Sequence, residues 1–578
     1  MKYVRLLFVL FILLGSCAEA PLQLEPYEGP GGAIAPKATA AGFSIEADIN
    51  GKAGRLFKQA ETHFVANRFK EATPTYRRSI EHTPTLAAQL NLGIALLSMS
   101  DIAAATQTLT EGLSQSRQRK DRRFTAAFLS NLGNAYANQN SLRKAQDSFE
   151  EALEIYREID QQAEVAASLG NIGMVYFLRS DLDSAQTALT TALAANRHIA
   201  NRRGEAHDLD RLGTIYILRG QLDSALTHYQ EALAINSDIS YQRGRGRALG
   251  NVGNVRFERG QYDHALKAYE DALAIYSDIG YLRGQLTQLN GIGLVHRRQG
   301  NLEETLSALQ QSLALSEQIA PSSETGALHA EIGKIYFLQG QLDKALRSHS
   351  FALELFIGTN QFREQATQLD HIGTIHILQG HRQKAHELYR RSLALFRQID
   401  HPSGQAEQLS KLGALNQGLG RLDDALAAYG EALQIYRRFD RHVEGATQLD
   451  NIGSVHVQQR SFDQALAAYD EALHIFTRIG HRQGQAAELS NIGNIHFNLN
   501  QLDKALTSFQ DALYIFGLID HPRGQADCLG NIGLVYRDQG NRQQALEYLH
   551  RASTLYERLG VRSAGVARVD SAIVALEQ

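Results

Sequence analysis

The sequence predicts an all-α fold in which pairs of helices stack one after another along the chain. The first observation is a glycine that recurs every forty residues over most of the sequence. The second is that small and aromatic residues recur at fixed distances from each glycine, so that every unit reads as helix, tight turn and helix. Repetition with this period is typical of helical arrays, in which each unit packs on its neighbours. The glycine column contains Gly93, Gly133, Gly173, Gly213, Gly253, Gly293, Gly333, Gly373, Gly413, Gly453, Gly493 and Gly533.

Composition and charge exclude several classes of protein. The 578 residues are 43% hydrophobic and 21% charged, which is ordinary for a soluble protein and argues against a disordered chain. The formal net charge of −4 lacks the strongly basic character typical of nucleic-acid-binding proteins, so we expect no nucleic-acid partner. Cys17 and Cys528 are the only cysteines and lie at opposite ends of the sequence, which excludes a disulfide or cysteine metal framework.

Residues 1–16 are predicted to be an export signal. Lys2 and Arg5 precede an apolar run that is too short to span a bilayer comfortably. The Leu-Gly-Ser-Cys sequence that ends at Cys17 resembles the bacterial lipobox, and this resemblance implies lipidation of Cys17 as the mature N-terminus. By the sorting rule of that family, Ala18 implies an outer-membrane lipoprotein that faces the periplasm. The alternative is a plain secretory signal, in which case the protein is secreted.

Residues 17–51 are predicted to comprise the lipidated cysteine and a flexible tether. Prolines and glycines are frequent in this stretch, and no apolar period emerges. If residues 18–51 behave as a random coil, their ends would be roughly 30 Å apart. Such a tether would hold the helical array away from a lipid surface.

The helical array is predicted to occupy residues 52–578. Residues 87–560 follow the forty-residue period, and residues 561–578 are predicted to form a single capping helix. The first unit, residues 52–86, is irregular and matches the spacing of the 34-residue tetratricopeptide repeat at Ala60, Ala72, Tyr76 and Pro84. The whole region resembles the long-repeat tetratricopeptide arrays of the kinesin light chain and LGN type. That resemblance implies a right-handed α-solenoid superhelix of about thirteen helix pairs plus the capping helix.

Physical chemistry accounts for the other repeated positions. We expect the glycines to let the two helices of a unit approach closely, while Tyr229 and its equivalents fill the space between units. Gly220 is expected to end the first helix of its unit in the left-handed conformation, with Asn140 and Asn500 as substitutes elsewhere. Asp223 and its equivalents lie in the predicted first turn of the second helix, where the helix dipole favours a negative charge.

A column of asparagines is the main candidate binding site. It lies two residues before the glycine column, on the first helix of each unit. In the resembling families this position lies on a concave wall, where the amide binds the main chain of an extended peptide by donating and accepting hydrogen bonds. The alternative is a ladder of hydrogen bonds between units that stiffens the array and touches no ligand. The column contains Asn91, Asn131, Asn171, Asn251, Asn451, Asn491 and Asn531.

The remaining motifs predict no catalytic site, metal or cofactor. The histidines around Gly380 are five residues apart, so neighbours do not share a helix face as metal ligands would. A column that holds tyrosine in other units is occupied by His296, His376, His456 and His496, which are therefore expected to be aromatic substitutes at a packing position. The glycine-rich stretch 244–250 lacks a preceding strand and is predicted to be a loop between units rather than a phosphate-binding loop. The basic cluster at 117–123 is expected to be a solvated loop, or else a contact for an anionic headgroup or an acidic partner.

These observations predict a non-enzymatic scaffold or adaptor, anchored to the bacterial envelope, that binds extended segments of other proteins in a concave groove. Membrane contact would come from the lipid anchor only. The stretches 91–171 and 451–531 are the candidate grooves, because other residue types interrupt most of the asparagine column between them. Two alternatives remain open: a sensor that changes its superhelical pitch around a peptide or small ligand, and a structural spacer whose groove stays empty.

Overall fold

The computed structural model describes residues 51–66, 68–319 and 323–578, and every regular element within them is an α-helix. The predicted all-α fold is therefore confirmed, while the predicted signal, Cys17 and nearly all of the predicted tether lie outside the described residues. The helices are α1 (Lys52–Val65), α2 (Phe69–His82), α3 (Leu86–Ser98), α4 (Ile102–Gln118), α5 (Arg122–Asn138), α6 (Leu142–Glu158), α7 (Gln162–Leu178), α8 (Leu182–His198), α9 (Arg202–Leu218), α10 (Leu222–Asp238), α11 (Gln242–Glu258), α12 (Tyr262–Asp278), α13 (Leu282–Gln299), α14 (Leu302–Ile319), α15 (Ser323–Leu338), α16 (Leu342–Gly358), α17 (Phe362–Leu378), α18 (Arg382–Gln398), α19 (Pro402–Gly418), α20 (Leu422–Arg438), α21 (His442–Gln458), α22 (Phe462–Arg478), α23 (Arg482–Asn498), α24 (Leu502–Leu518), α25 (Pro522–Asp538), α26 (Arg542–Arg558) and α27 (Ala564–Glu577).

Two compact units divide between Ile335 and Tyr336. Within each unit an odd-numbered helix packs on the even-numbered helix that follows it, and that helix packs in turn on the next odd-numbered helix. Packing between sequence neighbours is the arrangement expected of a helical solenoid. No helix in the described part of the chain is both long enough and apolar enough to cross a membrane.

Short turns of constant geometry separate the helices. A residue with positive φ lies at every twentieth position from Ser100 to Gly560, apart from position 320, which is outside the described residues. At Gly220 the turn is closed by the N–H of Gln221, which donates to the carbonyl oxygen of Tyr216 at 2.8 Å. The left-handed conformation predicted for Gly220 and its asparagine substitutes is confirmed. Position within the turn decides this conformation, because even Ala200 adopts it with φ of 54°.

A large side chain from the second helix of a pair packs directly against most glycines of the column, and we call this the seating contact. A Cβ atom placed on Gly213 would lie 2.6 Å from a ring carbon of Tyr229, which is sixteen residues further along the chain. Tyr229 also packs with Val252 and Val255 of the next pair, as predicted for a residue that fills the space between units. The same seating contact joins Gly93 to Leu109, Gly133 to Phe149, Gly173 to Leu189, Gly253 to Tyr269, Gly373 to Tyr389, Gly413 to Tyr429, Gly453 to Tyr469, Gly493 to Phe509 and Gly533 to Leu549.

Hydrogen bonds between successive pairs involve the first-turn aspartates of the even-numbered helices. Asp223 lies in the first turn of α10, as predicted, but its carboxylate also accepts a hydrogen bond from Arg259 at the end of α11. Asp343 accepts one from Gln379 at 3.1 Å in the same way. These aspartates therefore join neighbouring pairs, in addition to interacting favourably with the positive end of the helix dipole. The same contact joins Arg219 to Asp183, Gln299 to Asp263, Gln459 to Asp423 and Gln539 to Asp503.

Two loop predictions need correction. The glycine-rich stretch 244–250 lies inside α11, so the prediction of a loop between units is wrong. A glycine is required at position 246 because the ring of Tyr276 packs against the helix there, and a Cβ atom would lie only 2.8 Å from it. The basic cluster at 117–123 is only partly a loop, and Arg117 and Arg122 form ion pairs with carboxylates of α6.

The last helix, α27, covers the end of the array. It buries Val569, Ala572 and Ile573 against α25 and α26. The side-chain oxygen of Ser563 accepts a hydrogen bond from the backbone N–H of Val566 and so caps the start of the helix. The predicted single helix at the C-terminus has the placement expected of a cap.

We expect the substitution Gly453→Ala to destabilise the protein and Gly293→Ala to be tolerated. An added Cβ at Gly453 would lie 2.5 Å from the ring of Tyr469, whereas the nearest atom to a Cβ at Gly293 is 3.5 Å away. Overpacking of this kind costs about 2 kcal/mol, while an unhindered alanine in a helix contributes about 1 kcal/mol relative to glycine. The urea midpoint of unfolding measures both effects. Equal shifts for the two variants would contradict the seating contact.

Candidate functional site

The asparagine column lies on successive odd-numbered helices, two residues before the seating glycines. Its members belong to α3, α5, α7, α11, α21, α23 and α25. Because the register relative to the glycine is constant, the seven side chains leave their helices in the same direction relative to the packed pair. The face built by these helices is the surface that the sequence singled out.

In the N-terminal stretch of the column, two of the three amides are buried. Asn91 donates a hydrogen bond to the Tyr76 hydroxyl of the preceding pair at 3.2 Å. Asn171 is buried. Asn131 is half-buried and donates to the carbonyl oxygen of Ala127 in its own helix at 2.9 Å. Thus Asn91 has the bond between pairs that the ladder interpretation requires.

The C-terminal stretch shows the same use of the amide. Asn491 donates to a carboxylate oxygen of Asp450 in the preceding pair at 2.9 Å. The oxygen of Asn531 accepts from Arg568 of the capping helix at 2.7 Å, and its nitrogen lies 3.4 Å from the oxygen of Asn494. Asn251 and Asn451 are half-buried on the same face. Hydrogen bonding between neighbouring pairs thus involves Asn491 and Asn531, which supports the ladder interpretation at both positions.

Positions where the asparagine is replaced also contact the preceding pair. Lys411 donates to both carboxylate oxygens of Asp370, at 2.6 and 2.8 Å. Glu331 accepts a hydrogen bond from Arg297 at 2.9 Å. His371 stacks on His349 with ring centroids 4.9 Å apart. Six positions of the column therefore contact a neighbouring helix pair through polar or aromatic groups. We call such a polar or aromatic contact between neighbouring pairs a joint, and its chemistry differs from one position to the next.

Two leucines provide an exposed apolar surface that the sequence analysis did not predict. Leu338 and Leu378 lie seven residues after the asparagine-column position, so they share its helix face about two turns further on. Their side chains are 66% and 59% exposed, and the adjacent Phe337 and Ile377 are half-buried. The sequence alone does not distinguish these two leucines, because the same position is occupied by Leu178 and Leu218, which are half-buried.

The odd-numbered helix α9 carries a buried carboxylate beside the column. Asp208 accepts a hydrogen bond from Asn196 at 2.8 Å, and a guanidinium nitrogen of Arg211 lies 3.8 Å from its other oxygen. Burial raises the pKa of Asp208 to about 7, and Arg211 and Asn196 oppose this rise. Burial and nearby arginines also lower the pKa of His207 well below its ordinary value. The hydrogen bond between Asn196 of α8 and Asp208 of α9 therefore joins two neighbouring helix pairs.

Several histidines have structural roles. The ring nitrogen Nδ1 of His481 accepts a hydrogen bond from the backbone N–H of Gly484 at 3.1 Å, which caps the start of α23. Its ring also packs on Phe476. His401 and His521 repeat both contacts at the starts of α19 and α25. Within the described ranges, no group of three or more histidine, cysteine or carboxylate side chains could hold a metal ion.

The joint at Asp370 predicts a measurable loss of stability when its cation is removed. Lys411→Gln leaves the largely buried charge of Asp370 with only the amide of Gln408, which donates to it at 3.1 Å. Breaking such a partly buried pair costs about 3 kcal/mol. The double variant Asp370→Asn with Lys411→Gln should recover most of that loss.

The exposed pair between Arg437 and Glu471 is a matched control for this substitution. Arg437→Gln should lower stability by less than about 1 kcal/mol, because exposed ion pairs contribute little. Chemical denaturation of the four proteins measures these differences. An equal loss for Lys411→Gln and Arg437→Gln would show that the joint contributes no more than a surface pair.

Three solved structures resemble parts of this chain at low scores. A crystal structure of BtubC (BKLC) from P. vanneervenii is 24% identical over 39% of this chain and 96% of that chain, with a TM-score of 0.35. The Cut9–Hcn1 hetero-tetramer of the APC/C is 15% identical over 92% of this chain and 97% of that chain, with a TM-score of 0.36. The apo form of RapI is 15% identical over 60% of this chain and 98% of that chain, with a TM-score of 0.41. At these scores the three structures carry no inference about function.

Sequence comparison identifies the family. A search of curated protein sequences gives no significant match. The profile of the tetratricopeptide repeat family matches residues 124–198, 202–278, 284–357, 324–398, 405–478 and 485–558, which together make up more than half of the chain. The seating contacts from Gly133 to Leu549 fall within these matches, whereas Gly93 and Leu109 precede them. The chain therefore belongs to the tetratricopeptide repeat family.

Proposed function

We propose that the protein is an interaction scaffold of the bacterial envelope, whose odd-numbered helices bind extended segments of partner proteins. Tetratricopeptide repeats generally mediate contacts between proteins, and no enzymatic family is indicated for this chain. The observation that carries the proposal is the exposed pair Leu338 and Leu378 on that face. Adjoining exposed apolar side chains, in contrast to single ones, mark contacts for partners.

The leucines are better placed for direct contact with a partner than several of the asparagines. The amides of Asn91, Asn491 and Asn531 already form hydrogen bonds with neighbouring groups. A ligand would have to replace those bonds and would gain little net free energy from each exchange. Contact with Leu338 and Leu378 instead removes apolar surface from water, at about 25 cal/mol per Å². We therefore assign binding to the leucines and stiffening of the array to these three asparagines.

A partner that fits this surface is an extended segment with apolar side chains. Leu338 and Leu378 are one repeat apart, and half-buried Phe337 and Ile377 widen the apolar surface beside each. An extended chain advances about 3.3 Å per residue, so a short segment can cross from one repeat to the next. Its backbone polar groups would stay beside the polar side chains of the same face.

Site-specific photo-crosslinking in cells tests this proposal. A benzoylphenylalanine at Leu378 should capture one defined envelope protein, and the additional substitution Leu338→Asp should abolish that capture. The matched control places the same crosslinker at Phe351, which is 55% exposed on the even-numbered helix α16 of the same unit. Capture from Phe351 alone would move the interface to the even-numbered helices. Absence of capture from both positions would reject the scaffold and leave the sensor and the spacer.

The envelope location rests on the lipobox-like sequence at Cys17. We expect the full-length protein to incorporate labelled palmitate and to fractionate with the outer membrane. Cys17→Ser should abolish incorporation, whereas Cys528→Ser should leave it unchanged because Cys528 is buried in the array. Unlabelled wild-type protein in the soluble fraction would show that the signal is an ordinary secretory one.

A further inference from the structure

One joint of the second unit brings two carboxylates together where equivalent joints place a cation. The aspartate three residues before the seating glycine recurs at Asp210, Asp370 and Asp450. Asp210 accepts a hydrogen bond from Arg247 at 2.8 Å. Asp370 binds Lys411 with both oxygens and also accepts from Gln408 at 3.1 Å. At both joints the following helix pair supplies a positive charge.

Asp450 meets a different set of groups. Asn491 occupies the position equivalent to Lys411, and its neutral amide donates to Asp450 at 2.9 Å. Glu488 occupies the position equivalent to Gln408, so a second carboxyl replaces an amide. Burial and the amide of Asn491 influence the Asp450 carboxyl, whereas burial, the charge of Asp450 and the amide of Asn491 influence the Glu488 carboxyl. Compared with the equivalent joint at Asp370, this joint therefore lacks the lysine and has a second carboxyl.

Glu488 is almost completely enclosed. Its side chain is 2% exposed, and its oxygen Oε2 has no hydrogen-bond partner among the described residues. An ionised carboxylate in that situation carries a large desolvation cost, whereas the neutral acid does not. Burial and Asp450 raise the pKa of Glu488 to about 8, and Asn491 opposes this rise. Burial also raises the pKa of Asp450.

Neighbouring helices contribute a phenol, apolar side chains and a thiol to this region. Burial raises the pKa of Tyr469 on α22, and the negative charges of Asp450 and Glu488 add to this rise. The buried residues of α24 are all apolar. On α25, the thiol of Cys528 lies 3.5 Å from Ser490 of α23, and burial raises its pKa to about 11. Neither the phenol nor the thiol supplies a positive charge for Glu488.

We propose that the joint between α21 and α23 is held together by a proton on Glu488 and loosens when that proton is lost. The protonated carboxyl removes one of the two buried charges and can donate a hydrogen bond, which the ionised form cannot. Loss of the proton leaves two carboxylates that share a single amide donor. This regulatory property is independent of what the odd-numbered helices bind.

The sign of the pH dependence follows from linkage. An unfolded glutamate has a pKa of about 4.3, so between pH 4.3 and about 8 the folded joint holds a proton that the unfolded chain has released. The free energy needed to open this joint should therefore decrease as pH rises through that window and level off above it. One proton corresponds to at most about a tenfold change in the opening equilibrium per pH unit.

Hydrogen exchange followed by mass spectrometry on the full-length protein tests the proposal. Exchange between pH 5 and pH 9, divided by the intrinsic rate at each pH, reports the opening of α21 to α23 and of α17 to α19. We expect protection of α21 to α23 to fall up to tenfold per pH unit until about pH 8. Protection of α17 to α19, which contain the Asp370–Lys411 joint, should not fall in this way.

Variants separate the proton from general stability. Glu488→Gln should remove the pH dependence of α21 to α23. Gln408→Glu places a second carboxyl in the control joint, where Lys411 should prevent a comparable dependence. If Glu488→Gln fails to fold, Asp450→Asn provides the test, because loss of its charge should make protection level off at a lower pH. An unchanged pH profile in the folded variant, or a flat profile in the wild type, would overturn the proposal.

Discussion

Seating of a large side chain on a glycine is the contact on which the rest of the structure depends. In ten pairs of the described residues, the odd-numbered helix has no side chain at its column glycine, and a ring or leucine from the following helix fills that space. This contact sets how closely the two helices of a pair approach. Because Tyr229 also packs on Val252 and Val255, the same side chain positions the next pair. The same packing is thereby repeated between neighbouring helices along each unit.

Joints between pairs have a second, polar layer whose chemistry is not uniform. Amides, ion pairs and stacked histidines occupy equivalent positions, as Asn91, Lys411 and His371 show. Every such group is at least partly removed from water, so an unmatched member costs more than it would on the surface. Variation among joints gives individual repeats different stabilities while the seating contact keeps their geometry alike. Function and regulation can therefore be localised to particular repeats.

Periodicity predicted the fold because it depends only on which positions recur. The glycines, the left-handed turns and the capping helix followed from local rules of helix packing and termination. The hydrogen-bond partners of polar side chains could not be predicted from the sequence. The position of Asp223 in the first turn of a helix is favourable by itself, so nothing in the sequence indicated that Arg259 of the next pair also binds it. The prediction of a loop at 244–250 was wrong because closely spaced glycines occur both in loops and on a helix face that packs tightly against large side chains. Exposure of Leu378 depends on what packs beside it, which the sequence pattern does not contain.

A double-mutant cycle between Gly453 and Tyr469 tests the seating contact most directly. If the ring is what excludes a side chain from position 453, Tyr469→Ala removes the obstacle, although it costs stability by itself. The cost of Gly453→Ala, measured by chemical denaturation, should then disappear in the Tyr469→Ala background. An equal cost in both backgrounds would show that the backbone of the neighbouring helix, rather than the seated ring, requires the glycine. That result would contradict the account given for the whole column.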